Sequence, residues 1–270
     1  MGEPIAPDDG RPSPIVNVPL AWAAAHPEGP LVLRVGHADD DVSRVGEVPP
    51  QRVVWVETTV ALATSDWPPG VGLDLLVREP AKEAAALYDV ARLRHERPLR
   101  VTIPVEPGVG KAARVAMALQ LPVRLDARQP AAAAVAELAP VLESYLHDPQ
   151  ATEPVEFFHS ALVHGVHGAP ATLWSALERD PAFHRRMADD GTADPQEPPH
   201  EEGFVAAHVA RLVAAGAACR PCRFRAFCAG YLKWPDAAYD CGPAIGLLEA
   251  LETAATRLAR DLDEAGSVRP

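Results

Sequence analysis

Four cysteines are the residues of this chain best suited to chemistry, and they stand together as Cys219-Arg-Pro-Cys222, then Cys228 and Cys241, with no other cysteine in its 270 residues. Thiolates are soft ligands, and four of them complete either a tetrahedral zinc site or an iron–sulfur cubane. A structural zinc site usually pairs two tight Cys-x2-Cys knuckles, whereas only the first pair here has that form and the later intervals are x5 and x12. Mixed short and long spacers suit the larger body of a cluster. One 4Fe-4S cluster on Cys219, Cys222, Cys228 and Cys241 is therefore the expectation, with zinc the alternative. Arg220, Arg223, Arg225 and Lys233 crowd the same segment, as cations beside a negatively charged cluster would. A thioredoxin-like dithiol would follow a strand, and the residues before Cys219 read as a helix.

Three other groups carry residue types that could do chemistry. Pro107-Gly-Val-Gly-Lys111 follows a strand and opens a helix like a phosphate-binding loop. That motif needs glycine where Val105 stands and a hydroxyl where Ala112 stands, so a tight strand-to-helix turn is expected. His159, His164 and His167 lie near Glu156, but residues five and eight apart do not share one helical face, so surface or packing roles are expected. Asp39 to Asp41 read as a solvated turn rather than an acid/base couple.

The elements that must position the thiols read as α/β. The first 30 residues contain seven prolines and read as an irregular arm with a short helical patch at Ala21 to Ala25. Apolar β-rich runs follow at Leu31 to Val35, Val53 to Thr58, Leu73 to Val77, Leu99 to Ile103 and Leu121 to Leu125. Helical runs separate them, notably Glu83 to His95 and Lys111 to Leu119, and this alternation predicts a parallel sheet closing into a partial (βα) barrel over 31–187. Ala131 to His147 reads as a long helix, and Val155 to Met187 as shorter ones. Residues 188–203 hold six acidic residues, three prolines and no Lys or Arg, and read as an acidic linker. A small, mostly helical module over 204–270 follows, with helices at Phe204 to Ala215 and Ala244 to Leu262.

A net charge of −12 argues against nucleic acid and anionic lipid as partners. The N-terminus lacks the basic start and apolar stretch of a secretory signal, and no apolar run approaches the ~20 residues of a membrane helix. A cytoplasmic protein is expected, and in that reducing compartment clustered cysteines point to metal or redox chemistry rather than disulfides.

At the cysteines the chain resembles the SPASM domain, the C-terminal extension of radical SAM peptide-maturing enzymes. That family's distal part runs Cys-x2-Cys-x5-Cys-x3-Cys with a glycine soon after the third cysteine and a further cysteine beyond. Cys219, Cys222, Cys228 and Gly230 match it, Cys241 serves as the last, and Leu232 stands at the x3 position. The resemblance implies one auxiliary 4Fe-4S cluster on these four thiols. Thr172 to Pro181 resembles the helical bridge that precedes such a module. The radical SAM Cys-x3-Cys-x2-Cys motif is absent, since no cysteine precedes Cys219, so no catalytic residue is assigned. The expected role is a non-catalytic, radical-SAM-like protein acting in binding or electron transfer. The implied partner is a radical SAM enzyme or a ribosomally made precursor peptide. The alternatives are a structural four-cysteine zinc-binding interaction protein, and an enzyme with an unrecognised pocket in the βα domain.

Overall fold

The computed structural model describes residues 13–26, 28–36, 40–63, 67–168 and 170–267. Eight parallel strands form one sheet: β1 (Ile15–Pro19), β2 (Leu31–Val35), β3 (Val53–Thr59), β4 (Leu73–Leu76), β5 (Leu99–Pro104), β6 (Val123–Asp126), β7 (Val155–Glu156) and β8 (His184–Arg186). Their order is β7-β6-β5-β4-β3-β2-β1-β8. The α-helices are α1 (Pro80–Glu83), α2 (Leu87–Val90), α3 (Val109–Ala118), α4 (Ala132–His147), α5 (Phe158–His167), α6 (Leu173–Ala176), α7 (Phe204–Ala214), α8 (Arg225–Cys228) and α9 (Gly242–Ser267).

Each strand from β1 to β7 pairs with its sequence neighbour, so crossovers of one hand all place their connecting segments on one face. A sheet wound this way curls toward a barrel. Glu57 on β3 and Arg186 on β8 stand three strands apart, ~14 Å in a flat sheet. Their side chains nevertheless meet at 2.9 Å. A bulge at Leu31/Val32, where β2 pairs with β3, adds to the bend. The result is the α/β half-barrel that the sequence predicts, with β7 and β8 as its edges and a helical C-terminal segment.

The outer face is largely apolar. Val18, Leu31, Leu33, Val56, Leu73, Leu75, Val101, Ile103 and Leu125 are fully buried there. Each such aliphatic side chain contributes about 1.5–3 kcal/mol of burial. α3 packs through Ala112, Ala113 and Ala116, whose small side chains let it lie close. Its entry turn needs Gly108, which has φ +92° and whose Cβ would stand 2.5 Å from the Ala81 backbone. The Glu137 carboxylate on α4 accepts hydrogen bonds from the Gly108 and Gly110 amides at 3.0–3.1 Å. An internal carboxylate thus occupies the place a phosphate would take, which settles Pro107 to Lys111 as a structural turn.

Several expectations are corrected. Ile15–Pro19 is not part of an irregular arm but a strand between β2 and β8, with the expected helical patch following as a 3-10 turn at Leu20–Ala25. Pro14 precedes it and Pro19 ends it, and the two hide it. β7 and β8 lie in a stretch expected to be helical; β8, His-Arg-Arg, has no apolar residue to announce it. The run from Glu83 to His95 is not one helix, because α1 and α2 alternate with 3-10 turns. The fifth expected strand begins at Val123, two residues late, since Pro122 follows a turn at Gln120. Residues 188–203 are no free linker: Asp189 and Glu197 pair with arginines of the barrel. The C-terminal module shares one continuous core with the barrel, through Leu247, Leu248 and Leu251 of α9 beside α4 and α5. No helix among the described residues is long and apolar enough to cross a membrane.

Replacing Glu137 by alanine leaves two amides at the start of α3 without acceptors and should cost about 1–2 kcal/mol in urea unfolding. The exposed Glu143→Ala, nearly two turns further along α4, should stay within about 0.5 kcal/mol of wild type.

Candidate functional site

The four thiols come from three local structures. Cys219 and Cys222 lie in tight turns after α7, where the Cys222 amide donates to the Cys219 carbonyl at 3.3 Å. Cys228 ends α8. Cys241 immediately precedes α9, and its carbonyl accepts the Ile245 amide at 2.8 Å, so its thiol sits at a helix N-terminus. The chain beyond Cys228 is fixed by two successive left-handed residues, Ala229 at φ +47° and Gly230 at +75°. Gly230 is required there because a Cβ would stand 2.9 Å from the His208 ring, whose Nε2 lies 3.2 Å from the Gly230 carbonyl oxygen. The Trp174 indole donates to the Ala229 carbonyl at 2.9 Å.

All four thiols are half-buried and unbridged. Burial pushes the Cys228 thiol up to about 12, against backbone N–H groups of Leu232 and Gly230 that point at its sulfur. Burial also raises Cys219 and Cys241, and in both the Lys233 ammonium opposes the rise. Cys219 and Cys241 each feel the charge of Cys222, and Cys228 feels both Cys219 and Cys241, so the four form one electrostatic set. Lys233 itself is buried and donates to the Tyr239 carbonyl. Among the described residues no three His, Cys, Asp or Glu side chains converge as they would around one metal ion. Four thiolates on one zinc would stand ~4 Å apart. The four thiols therefore share one region of the fold without standing together as the ligands of one metal centre.

The histidines expected to be structural are so placed. His159 Nδ1 lies 3.2 Å from the Tyr145 hydroxyl, and His164 stacks on Phe227 at 5.2 Å. Glu156 accepts from the Ser160 hydroxyl at 2.7 Å. Asp41 caps the 3-10 turn Val42–Glu47, and Asp40 accepts from the Gly36 amide at 3.0 Å. Asp39 lies outside the described residues.

The inner face of the sheet carries a second constellation that sequence reasoning missed. Strand register brings Arg34, Glu57, Asp74 and Arg100 into one row across β2 to β5, with Arg124 next to Thr102. Asp74, fully buried, accepts from Arg100 at 2.8 Å, Arg124 at 2.9 Å and the Thr102 hydroxyl at 2.6 Å. Glu178, beyond α6, folds back onto Arg100 at 2.5 Å and Arg124 at 2.8 Å. Above them Glu57 takes both Nη atoms of Arg186 at 2.9–3.0 Å and the Asn17 amide at 3.1 Å. A cavity of about 330 Å³ opens among these groups, closed on one side by residues 193–200. The missed signal is alternation: Leu-Arg-Val-Thr-Ile on β5 and Val-Arg-Leu-Asp on β6 place every second residue on a polar face.

The thiol loop and this cleft touch. Tyr231, three residues past Cys228, is wholly buried, and its hydroxyl lies in the field of Arg179, Asp126, Arg128 and Glu197 without a hydrogen-bond partner. Arg179 bonds Asp126 at 2.9 Å and also pairs with Glu197.

Compared with family models, with curated proteins and with solved structures, the chain finds no match. What the sites can do therefore rests on their own geometry.

Burial alone would raise the Glu57 carboxyl, but the Arg186 charge and hydrogen bonds bring it down to about 2 from its ordinary 4.5. A depressed carboxylate contributes stability that is complete above about pH 4.5 and is lost as the pH falls toward 2. Glu57→Gln should therefore cost about 3 kcal/mol near pH 7, as for one half of a buried pair. Unfolding curves of wild type and variant should converge as the pH is lowered through that window.

Proposed function

We propose that this chain is an iron–sulfur protein whose C-terminal module holds one 4Fe-4S cluster on Cys219, Cys222, Cys228 and Cys241. It acts by binding or one-electron transfer beside a separate catalyst. The observation that carries this reading is the gathering of all the chain's cysteines into one electrostatic set, with a buried ammonium and two backbone N–H groups directed at it. Metal binding at these thiols would release their protons as thiolates form. Backbone N–H groups on a sulfur and a nearby cation are the devices that stabilise the negative charge of thiolate-ligated clusters.

The residues fit the group in kind and number. Cys219, Cys222, Cys228 and Cys241 would supply the thiolates, and a bound cluster would supply one-electron chemistry. Lys233 would offset its charge, and Gly230 with Leu232 would fix the Cys228 sulfur. The partner that the SPASM resemblance implies is a peptide-maturing radical SAM enzyme or its precursor peptide. Purified candidates of both kinds should bind the cluster-loaded chain with measurable affinity in titration, and uniform failure to bind would remove this partner class.

Anaerobic purification followed by iron, sulfide and zinc analysis should give about four irons and four sulfides per chain. A paramagnetic signal should appear on dithionite reduction and vanish in Cys222→Ala. One zinc without sulfide would sink the cluster reading and leave a structural four-cysteine site.

A further inference from the structure

A second cavity, of about 370 Å³, lies at the C-terminal ends of β1 to β4, on the other side of the Glu57–Arg186 pair from the first. Ligands of parallel α/β sheets bind at this end of the strands, and the volume suits a molecule of amino-acid to dipeptide size. Three arginines line it, Arg34, Arg78 and Arg186, against Asp40, Glu57 and Asp189.

Arg34 is the anomaly. Its side chain is only 10% exposed, and a guanidinium so buried must be paired. Its Nη1 donates to the Asn17 side-chain carbonyl at 3.1 Å, and its carboxylate partner is Asp189, at 2.9 Å from Nη2. That aspartate is 79% exposed and belongs to the 188–199 segment rather than to the barrel. Glu57, the nearest inner carboxylate, is already engaged by both Nη atoms of Arg186. Burial and repulsion from Arg186 pull Arg34 below its ordinary value, a mark of positive charge incompletely offset.

The backbone bearing Asp189 is held independently of that ion pair. The Trp22 indole donates to the Asp189 carbonyl at 3.2 Å, and Gly191, at φ +81°, lies against the Trp22 ring where a Cβ would stand 2.6 Å from it. The Asp189 side chain can therefore swing into water by rotation about χ1 while its segment stays in place.

We propose that this cavity binds a small carboxylic acid, whose carboxylate replaces that of Asp189 on Arg34, with Arg78 alongside. Moving Asp189 out leaves three arginines against two carboxylates, so the site calls for a single negative charge rather than a dianion. A planar carboxylate free to turn can engage the guanidinium through two oxygens, a stronger pairing than the one contact Asp189 makes.

The test uses the full chain and calorimetric titration with N-acetyl-alanyl-alanine, its C-terminal amide and inorganic phosphate. The free acid should bind and the amide should not. Asp189→Asn, which removes the internal competitor, should tighten the acid about tenfold. Arg78→Gln, at an exposed position that tolerates change, should weaken it severalfold, and Arg34→Gln should abolish it. The proposal is overturned if the folded Asp189→Asn variant fails to take up the acid at ~10 mM, a concentration that fills even a millimolar site. Equal binding of acid and amide, or preference for phosphate, overturns it as well. None of these readouts depends on iron or on the cysteines, so failure here leaves the cluster reading to its own test.

Discussion

Because every crossover from β1 to β7 runs in one direction, helices cover the outer face of the sheet alone. The inner face must then be satisfied by whatever its own strands project. A closed barrel solves this with layers of branched aliphatic side chains. Here the solution is ionic, in two tiers. Asp74, Arg100 and Arg124 form one across β4 to β6, and Asn17, Arg34, Glu57 and Arg186 form the other across β8 to β3. Removing one member of such a buried pair costs about 3–5 kcal/mol, so the tiers bind together strands that are not neighbours in the sheet. Part of the neutralising charge comes from late in the chain. Glu178, Asp189 and Glu197 all lie beyond α6, so the inner face is complete only when residues 178–197 have folded across strands laid down much earlier.

The thiol loop rests on the same supports. Arg179 pairs with Asp126 at the end of β6 and with Glu197, and the Tyr231 hydroxyl is buried in their midst. Gln129, just past β6, donates to the Leu232 and Asp236 carbonyls at 3.3 and 2.7 Å. Trp234 reaches the Gln196 carbonyl at 3.3 Å. Trp174 on α6 is ringed edge-on by Phe204, His208 and Tyr231 while its indole holds the turn after Cys228. Arg179 thus belongs to both sites. The spacing of the cysteines in space is set by contacts that also close the cleft, which is why the C-terminal module cannot be separated from the barrel without exposing both.

The parts legible in the sequence are those with a local signature. Five apolar runs announce β2 to β6 because their outward residues are aliphatic, and α3, α4, α7 and α9 follow from helical periodicity. The cysteines declare themselves by clustering, and Gly108 by a turn that only glycine can make. β1 and β8 are hard to read because polar residues that face the cleft, Asn17, His184 and Arg186, interrupt them, and Pro14 and Pro19 further disguise β1. The acidic stretch 188–203 looks like a solvated linker since composition cannot reveal that Asp189 and Glu197 meet buried arginines distant in sequence. Alternation in β5 and β6 does carry the inner face, but only if a parallel strand is read as polar on one side, against the usual expectation for sheets covered on both.

Charge is distributed in a way that makes the two sites alike. The arginines and carboxylates of the cleft nearly cancel, so the chain's excess of −12 belongs to its exterior. That exterior repels a polyanion, whose many charges add, far more than a single carboxylate, whose repulsion is screened within ~8 Å at physiological salt. A small acid that passes the surface meets guanidinium groups already stripped of water, where a charged hydrogen bond is strong. Burial raises the Cys219, Cys228 and Cys241 thiols, and a metal centre binding there would displace their protons. Each site thus keeps its charge masked, by Asp189 in one case and by protons in the other. For the ligands proposed, selectivity in both would come from what can displace the mask at short range, since the long-range field of an acidic surface would attract neither a carboxylate to Arg34 nor a negatively charged cluster to the cysteines.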